Sequence, residues 1–326
     1  NQGNFVVSPY KGHLSNLGEP LTLIDQHGMK NNFTSYVGNP TDQQEHLIIS
    51  EIMYHPEPDG LAEYIELMNV SDSVTLDLAG VKFTNGIDFD FTGSSVTSLA
   101  PGERVLVVRD LAAFELAYGE GLPVAGVFEN STGLSNKGEK LKLEDSSNST
   151  IKEFSYNDKL PWPEAADTLG YSIVLRAPGQ NLDPSEPTHC RARAAPGGTP
   201  GSADGTLLAG NPTDDLDGDG LNALLEHALG TSDNDATQSG PPSASRIVID
   251  GILYDSFTYT VKEVADDVRT SVETTTDLQN WSNNPDDFVD LIVTPNGDGM
   301  VTRTIRLAKP ALVDGKRFFR VKVELR

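Results

Sequence analysis

Apolar and polar residues alternate at the end of the chain. Phe319, Val321, Val323 and Leu325 fall on one side of an extended backbone and Arg320, Lys322 and Glu324 on the other. A period of two marks a half-buried β-strand. Strand-like stretches rich in β-branched and aromatic residues recur at 247–249, 256–261, 270–274, 291–294 and 301–307, so residues 245–326 are predicted to form a β-sandwich domain. A second set of strands is predicted at 47–54, 62–69, 75–83, 89–92, 104–109, 139–143 and 152–156. Turn chemistry separates them at Pro56-Glu-Pro-Asp-Gly60, Asn85-Gly86 and Pro101-Gly102. Short strands at this spacing point to an antiparallel sandwich. Residues 110–118 break the series with helical character and are expected to cover a sheet edge. The fold class is therefore mainly β, with sandwich modules on either side of a short loop-and-helix segment.

That segment carries the clearest chemistry. Asp215, Asp217 and Asp219 occupy positions 1, 3 and 5 of a calcium loop, Gly220 takes the sharp turn at position 6, and Glu226 falls at position 12. Leu221 would offer its backbone carbonyl at position 7, and Ala223 leaves position 9 to a water. Apolar residues at 221, 224, 225, 228 and 229 keep helical spacing, and Gly230 is placed to end that helix. Glu226 thus rides on a helix that swings it back toward the loop. Residues 209–242 hold seven acidic side chains and no Lys or Arg. Of these, Asp214, Asp233 and Asp235 are further candidates, as additional ligands, a second site or solvated turn residues. Without a cation such a cluster repels itself; with one, binding free energy becomes folding free energy. Calcium is the expected cofactor. The competing reading, a solvated acidic linker, supplies no reason for Glu at position 12.

Residues 1–38 make sense beside a later stretch. His13–Leu23 aligns with Gly133–Leu143 at an offset of 120, with seven of eleven positions identical, and Asp25/Asp145 and Tyr36/Tyr156 keep the offset. One register shared by so many positions is an internal repeat. Residues 1–38 are thus expected to be the second half of a module whose front half was removed or stays associated as a separate piece. A protein partner or upstream fragment is expected to dock there. The start at Asn-Gln-Gly-Asn-Phe, with neither Met nor a signal peptide, is read as that of a processed product or a piece of something longer.

Charge and composition narrow the function. With 48 acidic and 24 basic residues the net charge is −24. A nucleic-acid partner would need a basic footprint, and an anionic membrane surface would repel this chain. No apolar run is long enough for membrane insertion. Cys190 is the lone cysteine, so an intrachain disulfide is excluded. The six histidines lack zinc-ligand spacing, and neither a nucleophile elbow nor a phosphate loop is present. Glu51, His55, Glu63 and Glu66 form a tempting cluster, yet alternation sends Glu63 and Glu66 to opposite faces. Hydrogen-bonded structural carboxylates are the better reading there.

Three resemblances follow from the residues. Asp215–Glu226 and its helix resemble the calcium repeats of thrombospondin type 3 and dockerin type in secreted bacterial proteins. Leu47-Ile-Ile-Ser-Glu-Ile-Met-Tyr-His-Pro56, Glu63-Tyr-Ile-Glu-Leu-Met-Asn69, Leu76-Asp-Leu-Ala-Gly80 and Leu99-Ala-Pro-Gly102 resemble the bacterial lamin-tail domain. Gly170–Leu175 and Ala195–Gly201 look like its closing segment, His189-Cys190 standing where an aromatic is expected. Thr276–Trp281 with Phe318–Lys322 resembles C-terminal β domains of large secreted bacterial proteins. The lamin-tail resemblance implies immunoglobulin-like sandwiches that serve as interaction and scaffold modules. The expected layout is a half module at 1–38, a complete module with its extension at 45–205, the calcium segment at 209–242 and the C-terminal domain at 245–326.

The expected function is a non-catalytic, secreted or cell-surface structural and interaction protein rigidified by calcium. The alternative is the C-terminal accessory portion of a larger secreted enzyme (kinase-like, nuclease or hydrolase) with its catalytic domain upstream. A carbohydrate-binding module using Trp281 or Trp162 comes last. A homo-oligomer or filament is a further partner type, and the sequons at Asn32, Asn69, Asn130, Asn148 and Asn280 carry little weight.

Overall fold

The computed structural model of the chain describes residues 18–25, 27–238, 242–312 and 315–326. Its first element is a hairpin, β1 (Glu19–Ile24) and β2 (Lys30–Tyr36), paired antiparallel. The part of the half-module reading that falls on residues 1–17 lies outside the described residues.

Helix α1 (Asp42–His46) leads into the complete module and was not foreseen. It opens with a capping box in which the Thr41 hydroxyl accepts from Gln44 N–H and the Gln44 side chain accepts from Thr41 N–H. The strands then follow as β3 (Leu47–Met53), β4 (Tyr64–Asn69), β5 (Leu76–Asp77), β6 (Lys82–Asn85), β7 (Phe89–Asp90), β8 (Ser98–Leu99) and β9 (Arg104–Val108). After them come α2 (Leu111–Tyr118), β10 (Val124–Val127), β11 (Lys140–Glu144), β12 (Thr150–Ser155), α3 (Ala165–Thr168), β13 (Ile173–Leu175) and β14 (Cys190–Ala192). One sheet runs β10-β9-β4-β3-β13-β14 and the facing one β12-β11-β6-β7. Alternation sends Ile65, Leu67, Val105 and Val107 inward from the first sheet, against Phe83, Leu141, Leu143 and Phe154 of the second. Burying each such side chain contributes about 1.5–3 kcal/mol, so this apolar layer holds the module together.

The structure departs from expectation at two of these elements. The strand predicted at 75–83 is two strands, because Asp77 accepts the N–H of Ala79 at 2.9 Å and Gly80, at φ 77°, turns the chain. β5 therefore pairs with β8, while β6 pairs with β7 and β11. Helix α2 covers a sheet face, not an edge: Phe114 packs on Met53, Tyr64, Leu106 and Val108. The edge strand is β10, parallel to β9, with Gly126 under the Phe89 ring where a Cβ would come within 2.7 Å.

The C-terminal part contains α4 (Ala223–Leu229), β15 (Ser243–Ile249), β16 (Ile252–Lys262), β17 (Val268–Thr275), β18 (Phe288–Pro295), β19 (Met300–Leu307) and β20 (Phe318–Leu325). The sheet β15-β16-β19-β18 faces the pair β17-β20, with Phe257, Ile305, Val272 and Val321 between them. β15 starts at Ser243, two residues before the expected start of the domain.

Residues 202–210 are held in place between the two β regions. Asp204 accepts from Arg191 at 2.6 Å, and Thr206 bridges to Ala265. Arg191 also reaches Asp266 at 2.8 Å, and Arg176 and Arg303 both pair with Glu263. Burial alone would raise the Glu263 carboxyl, but the two guanidinium groups overcome it and hold the group at about 2. Gly299 N–H donates to the Ala194 carbonyl at 3.0 Å beside them. Buried ion pairs thus join the two β regions directly.

Candidate metal centre

The acidic loop is shaped by its own carboxylates. Asp215 accepts N–H groups from Gly218 at 2.8 Å and Gly220 at 3.1 Å. Asp217 accepts from Asp219 at 3.2 Å, and Asp219 from Leu221 at 2.7 Å. Such bonds need tight left-handed turns, supplied by Gly218 at φ 75° and Gly220 at φ 96°. The result brings one oxygen of Asp215, Asp217 and Asp219 within 4.8 Å of one another.

Helix α4 follows at once. Asn222 caps it by accepting Leu225 N–H at 3.0 Å, and Gly230 ends it in the left-handed conformation. Its apolar side seats on the C-terminal domain through Leu224 and Ala228 against Ala265, Val268 and Val323. His227 Nε2 lies 2.9 Å from Asp267 Oδ1, and Asp267 Oδ2 accepts Leu208 N–H at 2.7 Å. The helix is therefore fixed in place, and with it Glu226.

Glu226 is 1 % exposed, and neither of its carboxylate oxygens has a hydrogen-bond partner among the described residues. Asp217 Oδ2 is likewise buried without one. Burial raises the Glu226 pKa, the Thr231 hydroxyl, a donor beside it that is not in full hydrogen-bond geometry, opposes the rise, and the charges of Asp217, Asp219 and Asp233 push it further up. A buried carboxylate normally finds donors, so a group that faces other carboxylates instead is costly. Hard oxygens converging on one point, with an orphaned carboxylate on the helix behind them, are the donor set that calcium takes.

The remaining candidates separate. Asp233 accepts Leu216 N–H at 3.0 Å, which folds the segment after α4 back onto the loop. Leu221 lies in the loop with its N–H held by Asp219. Asp214 is engaged by Asn211 at 2.7 Å, and Asp235 by Thr237 and Gln238. The structure gives those last two side chains to their own turns, away from the cluster.

Elsewhere the carboxylates are structural. Glu51 accepts from Tyr64, Ser172 and Arg193, and Glu63 from Arg109 and Leu134 N–H. Glu66 accepts from Ser50 at 2.6 Å, Arg104 at 3.0 Å and Gly201 N–H at 2.7 Å. Burial and the neighbouring Glu51 charge push Glu66 up to about 7. Cys190 is buried, and desolvation pushes its thiol up to about 12, unsuited to a nucleophile. Trp162 belongs to the sandwich core, which corrects the sugar-stacking idea for that residue. One face of Trp281 carries the Arg320 guanidinium at 4.1 Å. Asn69 is buried, its side-chain amide donating to Val74 and Leu99 carbonyls, which closes that sequon.

The module with these buried acids combines a core between two facing, mostly antiparallel sheets and an outer helix. Residues 40–158 match the family model of the Lamin Tail Domain. The lamin-tail module is immunoglobulin-like, and the family points to structural or interaction work. No curated protein and no solved structure matches the chain. Among the described residues no helix is long and apolar enough to cross a membrane.

The ionic junction was missed from sequence. Its signal was Arg191 and Arg193, two strand residues apart in a chain poor in basic residues. Their partners were hidden among 48 acids.

Proposed function

We propose that the chain is a non-catalytic extracellular or cell-surface structural and interaction protein, in which calcium locks the loop-and-helix segment onto the C-terminal domain. The reading rests on the Glu226 carboxylate, buried without a well-formed hydrogen bond and within reach of the charges of Asp217 and Asp219, two members of the three-aspartate cluster. Those aspartates, the Leu221 carbonyl and both Glu226 oxygens come to about six ligands, with water completing the shell. Because α4 is seated on β16 and β20, ion binding stabilises the domain rather than a free loop. The buried ion pairs then carry that rigidity across to the lamin-tail module.

Thermal unfolding with calcium and with a chelator tests this. At a hundredfold excess over Kd an ion stabilises by about 2.7 kcal/mol, a rise in midpoint of roughly 10 °C for a domain of this size. Asp217→Ala and Glu226→Ala should both abolish the rise. Glu226→Gln should raise the midpoint in chelator, by removing an unpaired charge, and lower it in calcium. A midpoint indifferent to calcium in the wild type would demote the loop to a solvated acidic turn.

A further inference from the structure

The hairpin β1–β2 repeats β11–β12 bond for bond. Leu21 pairs with Thr34 as Leu141 does with Phe154, Leu23 with Asn32 as Leu143 does with Lys152, and the register slips at Leu23/Ile24 as at Leu143/Glu144. The turns match as well. Asp25 N–H donates to Met29 O at 2.9 Å and Asp145 N–H to Ser149 O at 2.9 Å, while both aspartate carboxylates accept N–H groups two and four residues on. Gly18 and Gly138 take φ 80° and 87°, and at each a Cβ would strike the carbonyl of the tyrosine at the far end of the hairpin. Every correspondence is offset by 120 residues.

The surroundings differ. β11 pairs with β6 on its other edge, and Leu141 and Leu143 are both 0 % exposed in the sandwich core. β1 has no second partner among the described residues, and Leu21 and Leu23 are 37 % and 65 % exposed. A strand edge unpaired among the described residues, beside exposed core-type leucines, is a template for strand addition. The complete module displays what covers it: strands equivalent to β3 through β7.

We infer that β1–β2 is the closing hairpin of a second lamin-tail sandwich and docks a polypeptide carrying the front half of that fold, whose β6-like strand pairs with the free edge of β1. This rests on the reading of the chain as an assembly of sandwich modules, not on calcium. A second copy of the chain is the poorer occupant, because its front half is already closed by its own β11–β12. Docking there would expel Leu141 and Leu143 from a filled core.

Two experiments decide it. In the full chain, Leu23→Asp should move the unfolding midpoint by no more than about 1 °C, while Leu143→Asp should abolish the module's transition, as burying an unpaired charge in a core does. Equal damage from both would mean that the rest of the chain already covers the hairpin, and would overturn the inference. In a chimera, residues 40–137 replace residues 1–17, so that Lys137 leads into Gly18 as it leads into Gly138. Hydrogen exchange of the outward amides between Thr22 and Ile24 should slow at least about tenfold relative to the parent, and Leu23→Asp should restore fast exchange. Unchanged exchange in the chimera overturns the inference. So does a parent that sediments as a dimer with those amides protected, which would make a second copy the occupant. Calcium binding is read at Asp217 and Glu226, so the two proposals fail separately.

Discussion

Glu66 shows how one buried carboxylate sets a pH dependence. Its folded pKa of about 7 lies above the ordinary glutamate value of 4.5, raised first by burial and then by Glu51 across the strand pair. The native state therefore holds the extra proton between these values. Stability from this group is full below about 4.5 and falls as pH rises through about 7, by on the order of 3 kcal/mol. Urea midpoints at pH 4.5 and 7.5 should show that loss in the wild type, and Glu66→Gln should flatten the difference. The acidic spacing of Asp215, Asp217, Asp219 and Glu226 was readable because a loop motif is a local pattern, and the structure brings the three aspartates together. Whether a carboxylate is buried without a donor is not local. The orphaned state of Glu226 appears only once α4 is seated on Ala265 and Val268.

At the scale of elements, most strands were legible from alternation, and the errors have specific causes. Residues 75–83 kept a strand-like pattern through Asp77 and Gly80, where a side-chain-capped turn overrides it. β10 hid in Pro-Val-Ala-Gly-Val because Pro and Gly read as punctuation, while Gly126 is required by the Phe89 ring above it. The hairpin glycines supply an element-scale prediction. Gly138→Ala forces a Cβ to 2.4 Å from the Tyr156 carbonyl at φ 87°, and should destabilise the module by about 1–3 kcal/mol in urea denaturation. Gly18→Ala meets the Tyr36 carbonyl at 2.7 Å in the same way, yet should leave the global transition unmoved, since β1 and β2 belong to neither described sandwich.

For the whole molecule, the junction decides how the two β regions unfold. Arg191 is 2 % exposed in its side chain and held by Asp204 and Asp266, the second of these 75 residues away. Such pairings join distant stretches, which is why strand patterns could not reveal them. Arg191→Met strands the buried Asp266 carboxylate, while Asp204 keeps Arg193 and the Ala194 N–H, and should cost about 3–5 kcal/mol. Calorimetry should then resolve separate transitions for the lamin-tail module and the C-terminal domain, where the wild type melts as one. The paired hairpins have another consequence, during synthesis. The first hairpin precedes the front half of the complete module in the chain, so that front half is made beside a hairpin of the same register as its own. Its own hairpin arrives later on a short tether, at high local concentration. It also carries Lys140 and Lys142 salt-bridged to Glu153, where the earlier hairpin has Pro20, Thr22 and Phe33. Those exposed ion pairs add little stability, and they give two hairpins of the same register different surface charge.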